Sequence, residues 1–137
     1  MTPAIRTAEK AKIAFEVREY QHDPRAESYG LEAAAALGVP VEQVFKTLIA
    51  KLDTRELVAA LVPVHKQLDL KALASALRVK KVEMAEVAEA ERATGYVSGG
   101  ISPLGQRKRL RTVADASIVR LERVFVSAGR RGMDVEL

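Results

Sequence analysis

The chain has no cysteine and no tryptophan, and only two histidines among its 137 residues. Without cysteine, disulfide bonds and thiolate zinc sites are excluded, and two histidines offer few soft ligands for a structural metal. No stretch approaches the roughly 18 to 20 apolar residues of a membrane-spanning helix, and the amino terminus lacks the apolar core of a secretory signal. We therefore expect a cytoplasmic protein without a metal, a cofactor or a membrane anchor.

The composition is that of a folded protein rather than a disordered segment. Hydrophobic residues make up 48% of the chain and charged residues 29%, which is ordinary for a globular fold. A chain of this length is most simply one domain, spanning residues 1–137. The net charge of +4 permits an anionic partner such as nucleic acid but does not by itself require one.

Local patterns predict interleaved helices and strands. Thr2 and Pro3 suit the first positions of a helix, and the alternation of Ile13, Phe15 and Val17 predicts a half-buried strand. The runs "VFKTLIAKL" and "ELVAALVPV" have strand length and are joined by a short polar turn, which predicts an antiparallel hairpin.

The remaining segments complete a mixed pattern. Short helices are predicted in "LEAAAALG", which ends at Gly38, in "LDLKALASALR", and across the whole of "VEMAEVAEAERAT". The final segment "VFVSAGRRGMDVEL" predicts two strands around a glycine-containing turn. Because no regular alternation of strand and helix is present, we predict a mixed α/β (α+β) fold with a strongly curled sheet.

Several catalytic motifs are absent. "GGISPLG" lacks the Gly-Lys-Ser/Thr of a phosphate-binding loop, and Ser102 lacks the second flanking glycine of a nucleophile elbow. A triad built from distant serine, histidine and acid residues stays open, although no spacing requires it. His22 and Asp23 are adjacent and supply too few ligands for a metal, so we interpret His22 as a loop residue.

Lys46 has an unusual neighbourhood in the sequence. Strand alternation in "VFKTLIA" places it on one face with Val44, Leu48 and Ala50. It is either a lysine at a strand edge that reaches solvent or an ammonium held in a partly apolar cleft. In a cleft it would suit a phosphate or carbonyl oxygen.

The stretch "GYVSGGISPLGQRKRLR" combines glycines with a basic run. The backbone amides of Gly99 and Gly100 can approach a ligand oxygen without steric cost, although a plain turn would explain the pair equally. A basic run close by in sequence would suit a phosphodiester backbone or simply form a solvated face. It consists of Arg107, Lys108, Arg109 and Arg111.

Two further features involve small, basic and aromatic residues. "SAGRRG" repeats the combination of small residues with arginines, and a hairpin turn with a charged tip would also explain it. Tyr20 and Tyr96 could stack on a base, or be buried with their hydroxyl groups hydrogen bonded.

Taken together, these segments resemble a known family. "VFKTLIA", "LVPVHKQLDLKALASAL", "KKVEMAE", "TGYVSGGISPLGQRKRL" and "VFVSAGRRGMDVEL" are similar, in order and spacing, to the YbaK branch of the YbaK/prolyl-tRNA synthetase editing-domain family. The resemblance extends from "TPAIRTAEK" to the last residue. It implies a hydrolase that deacylates mischarged tRNA, with a barrel-like mixed sheet, surrounding helices, no metal and a pocket for the aminoacylated 3′ adenosine.

The resemblance also implies site residues. Lys46 stands where the family has its essential lysine. Family pocket positions are matched by Tyr20, Gly99, Ser127 and Asp134. The chain ends after "MDVEL", where similar proteins continue into a helix, so we expect some loss of packing or an exposed pocket edge.

The resemblance favours trans-editing of Cys-tRNA(Pro), a step in translation fidelity. Its mechanism would use the substrate's own thiol, with the amides of Gly99 and Gly100 at the reacting carbonyl and Lys46 holding the aminoacyl-adenosine end. The partners implied are mischarged tRNA, bound by the basic run, and prolyl-tRNA synthetase. Two different functions stay open: a deacylase for another small amino acid such as Ala-tRNA, and a non-catalytic RNA-binding or synthetase-adaptor module.

Overall fold

The computed structural model describes residues 1–137 and contains four α-helices and seven strands. The helices are α1 (Pro3–Lys10), α2 (Tyr29–Leu37), α3 (Leu70–Leu77) and α4 (Val87–Thr94). The strands are β1 (Glu16–Glu19), β2 (Phe45–Leu52), β3 (Leu57–Pro63), β4 (Val82–Met84), β5 (Arg111–Ala114), β6 (Phe125–Arg130) and β7 (Met133–Glu136). No helix is long and apolar enough to span a membrane.

The strands form two separate sheets. One has three strands in the order β1-β7-β6, and the other has four in the order β4-β2-β3-β5. β3 and β5 run parallel while the other ladders are antiparallel. The mixed α+β class is therefore confirmed, but the barrel-like sheet is wrong, because neither sheet closes or curls on itself. The backbones of the two sheets are linked by one isolated β-bridge, between Val44, which precedes β2, and Phe125 of β6.

Helix ends follow the capping signals in the sequence. The Thr2 hydroxyl accepts a hydrogen bond from the Ile5 amide and donates one to the Ala128 carbonyl, so the cap of α1 also ties that helix to β6. The Asp69 carboxylate accepts from the Ala72 amide at the start of α3. These side chains satisfy amides that the first turn of a helix leaves without partners.

The core is divided by the sheets. Buried side chains of β2 and β3 pack against Leu73 of α3 and Val82 of β4. A second cluster joins Phe45 and Leu61 of the four-stranded sheet to Val126 and Val135 of the other sheet. Because β2 contributes to both clusters, it is the strand on which the two halves of the molecule are assembled.

Three sequence predictions need correction. The segment Val82–Met84 is a strand rather than the start of a helix, because it pairs with Ala50–Leu52 of β2 and this pairing overrides local helix propensity. β1 is shorter than predicted and fully exposed, since it lies at a sheet edge and is held by its backbone pairing to β7. β5 was missed because its four residues are too few to show a period.

A helix terminus provides a test of this fold. Gly38 ends α2 in the left-handed region with φ of 68°, and a Cβ there would meet no atom within 4 Å. Gly38→Ala therefore adds backbone strain without a steric clash, and we expect it to lower the free energy of unfolding by about 1 kcal/mol in urea denaturation. Gly38→Asn should lose less, because asparagine tolerates this conformation; equal losses would contradict a backbone origin.

Candidate functional site

A cavity of about 350 Å³ lies where the two sheets meet. Its walls come from the start of α2, from β2, from the β4–α4 connection, from the loop at residues 98–101, and from β6 and β7. Of its 22 lining residues 12 are hydrophobic, so a few polar groups stand in largely apolar walls. This size and lining are typical of a small-molecule pocket.

Five of the ten predicted site residues meet in this cavity. Residues from five separate segments of the chain line it, namely Tyr20, Lys46, Gly99, Ser127 and Asp134. The fold therefore brings together residues that the sequence places up to 114 positions apart, from Tyr20 to Asp134. Their roles toward a substrate stay predictions.

Lys46 lies in the cavity without a counter-ion. Its side chain is partly buried, burial lowers its pKa, and it takes part in none of the ion pairs of the structure. The next lysine of the strand differs, since Lys51 Nζ lies 3.2 Å from Glu89 Oε2. An ammonium that is partly dehydrated and unpaired is suited to a ligand oxygen.

Asp134 and Tyr20 form the other polar part of the cavity. Asp134 is 6% exposed, and burial raises the pKa of its carboxyl group to about 7. The pKa of Tyr20 is raised to about 12, first by burial and then by the charge of Asp134. At neutral pH the phenol of Tyr20 is therefore protonated and can donate a hydrogen bond, and a pKa of about 7 means that Asp134 is present in both protonation states.

β2 presents an edge to the cavity rather than a face. Six consecutive residues, 44–49, line the cavity, whereas a strand that offers one face would contribute alternate residues. The Leu52 amide bonds to the Glu56 carbonyl and the Val64 amide to the Val44 carbonyl, so even-numbered residues direct their backbone groups toward β3. The odd-numbered residues of β2 direct theirs to the opposite side.

That opposite side is covered only at its ends. β4 pairs with Ala50–Leu52, and the Ala85 amide bonds to the Ile49 carbonyl. At the other end, β6 touches β2 at the bridge of Val44 with Phe125. The N–H and C=O of Thr47 lie between these contacts, outside both ladders.

The glycine pair is explained by packing within the protein. A Cβ on Gly99, which has φ of 88°, would lie 2.6 Å from the Tyr29 ring and 2.8 Å from Arg131 Nε. A Cβ on Gly100 would lie 2.8 Å from Arg130 Cα. The Tyr29 ring and the arginines at the β6–β7 turn therefore leave no room for a side chain at either glycine.

The Gly100 prediction requires correction. Its amide donates to the Val97 carbonyl at 2.8 Å, and Gly100 is not among the residues that line the cavity. An amide engaged in a turn is not available to a ligand oxygen in this conformation. Gly99 lines the cavity, and its amide donates to no protein acceptor.

Arg131 holds this part of the wall together. Its Nε and Nη2 donate to the Ser98 carbonyl at 3.1 Å and 2.6 Å, and its guanidinium lies 4.5 Å from the centre of the Tyr29 ring. One side chain therefore links the glycine loop, the β6–β7 turn and the start of α2. The pattern "SAGRRG" is visible in the sequence, but its structural role is not, because the two partners of Arg131, Ser98 and Tyr29, are distant in the chain.

The predicted basic run lies elsewhere. None of Arg107, Lys108, Arg109 and Arg111 lines the cavity, and their contact with tRNA stays a prediction. The backbone of the first two is tied to the end of α4 through the Thr94 and Ala93 carbonyls. Arg111 is paired with Glu56, with Nε at 2.7 Å and Nη2 at 2.9 Å from its carboxylate oxygens.

Arg130 is the arginine that reaches the cavity. It lines the wall, its side chain is 64% exposed, and its nearest carboxylate is Glu19 at 3.8 Å. An exposed pair at this distance contributes little energy, so the guanidinium can exchange partners.

Tyr96 and His22 both have structural roles outside the polar part of the cavity. Tyr96 is buried and its hydroxyl donates to the Leu104 carbonyl at 2.6 Å, so it supports the loop rather than stacking on a base. His22 Nδ1 lies 2.7 Å from Glu32 Oε1, and the second carboxylate oxygen of Glu32 accepts from the Asp23 amide. His22 is thus a loop residue held by a helix carboxylate, as predicted in outline.

Comparisons with known proteins show which family the chain belongs to. Residues 23–137 match the family described as Aminoacyl-tRNA editing domain. EbsC of Enterococcus faecalis, a candidate Cys-tRNA(Pro)/Cys-tRNA(Cys) deacylase, is 36% identical over 137 residues, covering 99% of this chain and 82% of EbsC. The proline–tRNA ligase of Desulforamulus reducens is 32% identical over 100 residues, covering 73% of this chain and 17% of the ligase.

Solved structures show the same fold. A candidate trans-editing enzyme for prolyl-tRNA synthetase superposes with a TM-score of 0.84 at 22% identity, covering 100% of this chain and 87% of that one. A further crystal structure, of a hypothetical protein, gives a TM-score of 0.88 at 24% identity, covering 99% and 88%. The architecture is therefore shared with these solved structures. The chain belongs to the aminoacyl-tRNA editing domain family, whose members act on mischarged tRNA.

The titration of Asp134 leads to a stability prediction. Its pKa is raised from an ordinary 3.8 to about 7 in the fold, so the folded chain binds this proton more tightly than the unfolded chain does. Stability from this group is therefore present at low pH and is lost as pH rises from about 4 to about 7. Asp134→Asn should gain stability relative to wild type across that window, by up to about 1.4 kcal/mol per pH unit.

The measurement is urea denaturation of both proteins at several pH values from 4.5 to 8. The difference between their free energies of unfolding should grow up to about pH 7 and then level off. Other titrating groups cancel in this difference, so two parallel curves would contradict the raised pKa.

Proposed function

We propose that this chain is a trans-editing deacylase that hydrolyses the ester of mischarged tRNA, with Cys-tRNA(Pro) as its main substrate. The observation that carries the proposal is the cavity itself, where an unpaired lysine and a buried carboxyl group stand in apolar walls. The 36% identity to EbsC supports the substrate class. No cofactor is required for this reaction.

The chemistry suits a site with few reactive side chains. An ester between an amino acid and a ribose hydroxyl is already activated, so positioning and charge stabilisation suffice. Ser127 does not act as a nucleophile here, because its Oγ accepts a hydrogen bond from the Gly129 amide and no histidine lines the cavity. The nucleophile is then supplied by the substrate.

For cysteine this nucleophile is the thiol. Its sulfur attacks the ester carbonyl, a C–S bond forms, and the C–O bond to the ribose breaks. The thiol proton ends on the released ribose hydroxyl, and water then opens the cyclic thioester to free cysteine. Serine lacks so strong a nucleophile and should be hydrolysed slowly.

We assign roles to the lining residues on this basis. Lys46 fixes the aminoacyl-adenosine end by hydrogen bonds to its oxygens. Tyr20, Ser127 and Asp134 form the polar side of the pocket, and the Gly99 amide faces the same space. Arg130 at the cavity wall is placed to contact the phosphates next to the terminal nucleotide.

Lys46→Ala provides the first test. We expect it to lower kcat/KM for Cys-tRNA(Pro) by roughly 100-fold, because a charge-assisted contact in a partly dehydrated site is lost. Lys51→Ala, which removes a lysine of the same strand that pairs with Glu89 outside the cavity, should retain wild-type turnover. Equal rates for wild type and Lys46→Ala would overturn the site.

The substrate is tested with a panel of Cys-tRNA(Pro), Ser-tRNA(Pro) and Ala-tRNA(Pro). Rapid loss of cysteine alone supports the thiol-assisted reaction. Loss of alanine at a similar rate would keep the deacylase but exclude the thiol as a required nucleophile. Binding of tRNA without release of any amino acid would favour the adaptor function over the enzyme.

The two groups of basic residues can be separated by substrate size. Arg130→Gln should raise KM both for full tRNA and for a short aminoacylated CCA end. In a plot of log KM against log salt concentration, its slope should be smaller than that of wild type by about one, because one phosphate contact is lost. A double variant, Arg107→Gln with Arg109→Gln, should weaken full tRNA alone, since these residues lie outside the cavity. Equal effects of both variants on the CCA end would contradict this division.

A further inference from the structure

At the uncovered edge of β2, one backbone N–H and one backbone C=O, both of Thr47, form no hydrogen bond to a neighbouring strand. Thr47 directs its N–H and C=O away from β3, and the ladders of β4 and the bridge to β6 stop on either side of it. Backbone groups withdrawn from water need partners. An edge of this kind binds extended main chain in many proteins.

An aminoacyl ester carries the same groups as one residue of a strand. Its α-ammonium is a donor and its ester carbonyl is an acceptor, and both are attached to one Cα. Two antiparallel residues that face each other exchange N–H···O=C bonds in both directions. One aminoacyl group can therefore replace one residue of a partner strand.

We propose that the aminoacyl group of the substrate docks on Thr47 as a one-residue extension of the four-stranded sheet. The Thr47 N–H donates to the ester carbonyl oxygen, and the α-ammonium donates to the Thr47 carbonyl. This inference rests on the proposed function and names the main-chain contact that positions the reacting carbonyl.

The geometry of β2 makes this donor rigid. Lys46 and Leu48, on either side of Thr47, are paired with Val62 and Ala60 of β3. The ladder bonds of these two neighbours fix the backbone on both sides of Thr47, so its free N–H loses little freedom when it binds an oxygen. Such a fixed donor stabilises the negative charge that develops on the carbonyl oxygen during attack.

The contact also replaces a role predicted for Gly100, whose amide is engaged with Val97. In addition it is independent of the amino-acid side chain, because every aminoacyl group has the same ammonium and carbonyl. Discrimination between amino acids is then left to the other walls of the cavity.

The Thr47 side chain is not part of the proposed contact. Its hydroxyl is buried and has no hydrogen-bond partner, whereas the main-chain groups lie on the edge. Side-chain and main-chain contributions can therefore be separated by comparing two substitutions at this one position.

Thr47→Pro removes the N–H, and Thr47→Val serves as the reference for loss of the hydroxyl. Because the Thr47 N–H lies outside the ladders, proline here breaks no ladder bond and suits an edge position. We expect Thr47→Pro to have a kcat/KM for Cys-tRNA(Pro) at least 50-fold below that of Thr47→Val, with folding checked by circular dichroism and thermal melting. Similar rates for two folded variants would overturn the proposal.

Val17→Pro is the matched control for proline at a strand edge. The Tyr20 amide bonds to the Gly132 carbonyl, so even-numbered residues of β1 face β7 and the Val17 N–H points outward. Val17 does not line the cavity. This variant should fold and keep wild-type turnover.

If Thr47→Pro does not fold, the amide before Thr47 is replaced by an ester, using the α-hydroxy analogue of threonine. This change deletes the same N–H and keeps the side chain. We expect the same loss of kcat/KM, and the analogous change at Val17, whose N–H points away from β7, should leave kcat/KM unchanged. Unaltered turnover by the ester at position 47 would overturn the proposal.

A binding measurement separates this inference from the proposed reaction. The probe is adenosine bearing cysteine through a 3′-amide, which is not readily hydrolysed, and its deaminated counterpart is the control ligand. Wild type should bind the amine at least 10-fold more tightly, and Thr47→Pro should bind both ligands weakly. If the analogue binds in this way but wild type releases no amino acid from tRNA, the proposed deacylase function is wrong and the contact with Thr47 is supported. Equal binding of both ligands would overturn the contact.

Discussion

The antiparallel register between β2 and β3 is the constraint on which the rest of the structure depends. It pairs Phe45–Lys51 with Leu57–Pro63 and leaves the other edge of β2 free at its centre. Both faces of β2 are covered, one beneath α3 and the other against the second sheet. A shift of one residue would exchange these faces, and the tight turn that joins the strands, closed by the Leu52 amide on the Glu56 carbonyl, fixes the register. The position of Lys46 and the open edge beside it follow from that register.

The cavity carries polar groups at a cost to stability. A partly buried ammonium without a counter-ion and a carboxyl group that is 6% exposed both favour the unfolded chain. The apolar clusters on both sides of β2 offset that cost. Such an arrangement is typical of sites where interactions are completed by a ligand rather than by the protein.

Much of the fold can be predicted from short-range signals. Helix caps at Thr2, Asp69 and Gly38 and the β2–β3 hairpin depend on neighbouring residues, and they are predictable for that reason. β4 and β5 are not, because they are very short and are defined by pairing with distant strands. The barrel-like closure was wrong because nothing in the local pattern shows how two hairpins are placed relative to each other.

The candidate site also has a part that could be predicted from the sequence and a part that could not. The resemblance to the family indicates a set of pocket residues that all line the cavity, namely Tyr20, Lys46, Gly99, Ser127 and Asp134. The glycine loop and the basic run were judged by residue type, and residue type does not reveal which side of a loop faces a ligand. Gly100 and Arg111 already have partners within the protein, Val97 and Glu56. Whether such a residue is free to bind a ligand depends on its partners within the protein, and these are known only from the three-dimensional structure.

Main chain and side chain therefore have different tasks in this cavity. The backbone edge at Thr47 is independent of residue type, so sequence patterns cannot reveal it, while it can bind the part common to all aminoacyl esters. The side chains of the other cavity walls surround it and can select among amino acids. Sheet register fixes how the main chain binds the aminoacyl group, so the reacting carbonyl stays in place. Substitution of wall residues can then change which amino acid is selected. This separation offers a physical reason why one editing fold can serve several mischarged amino acids.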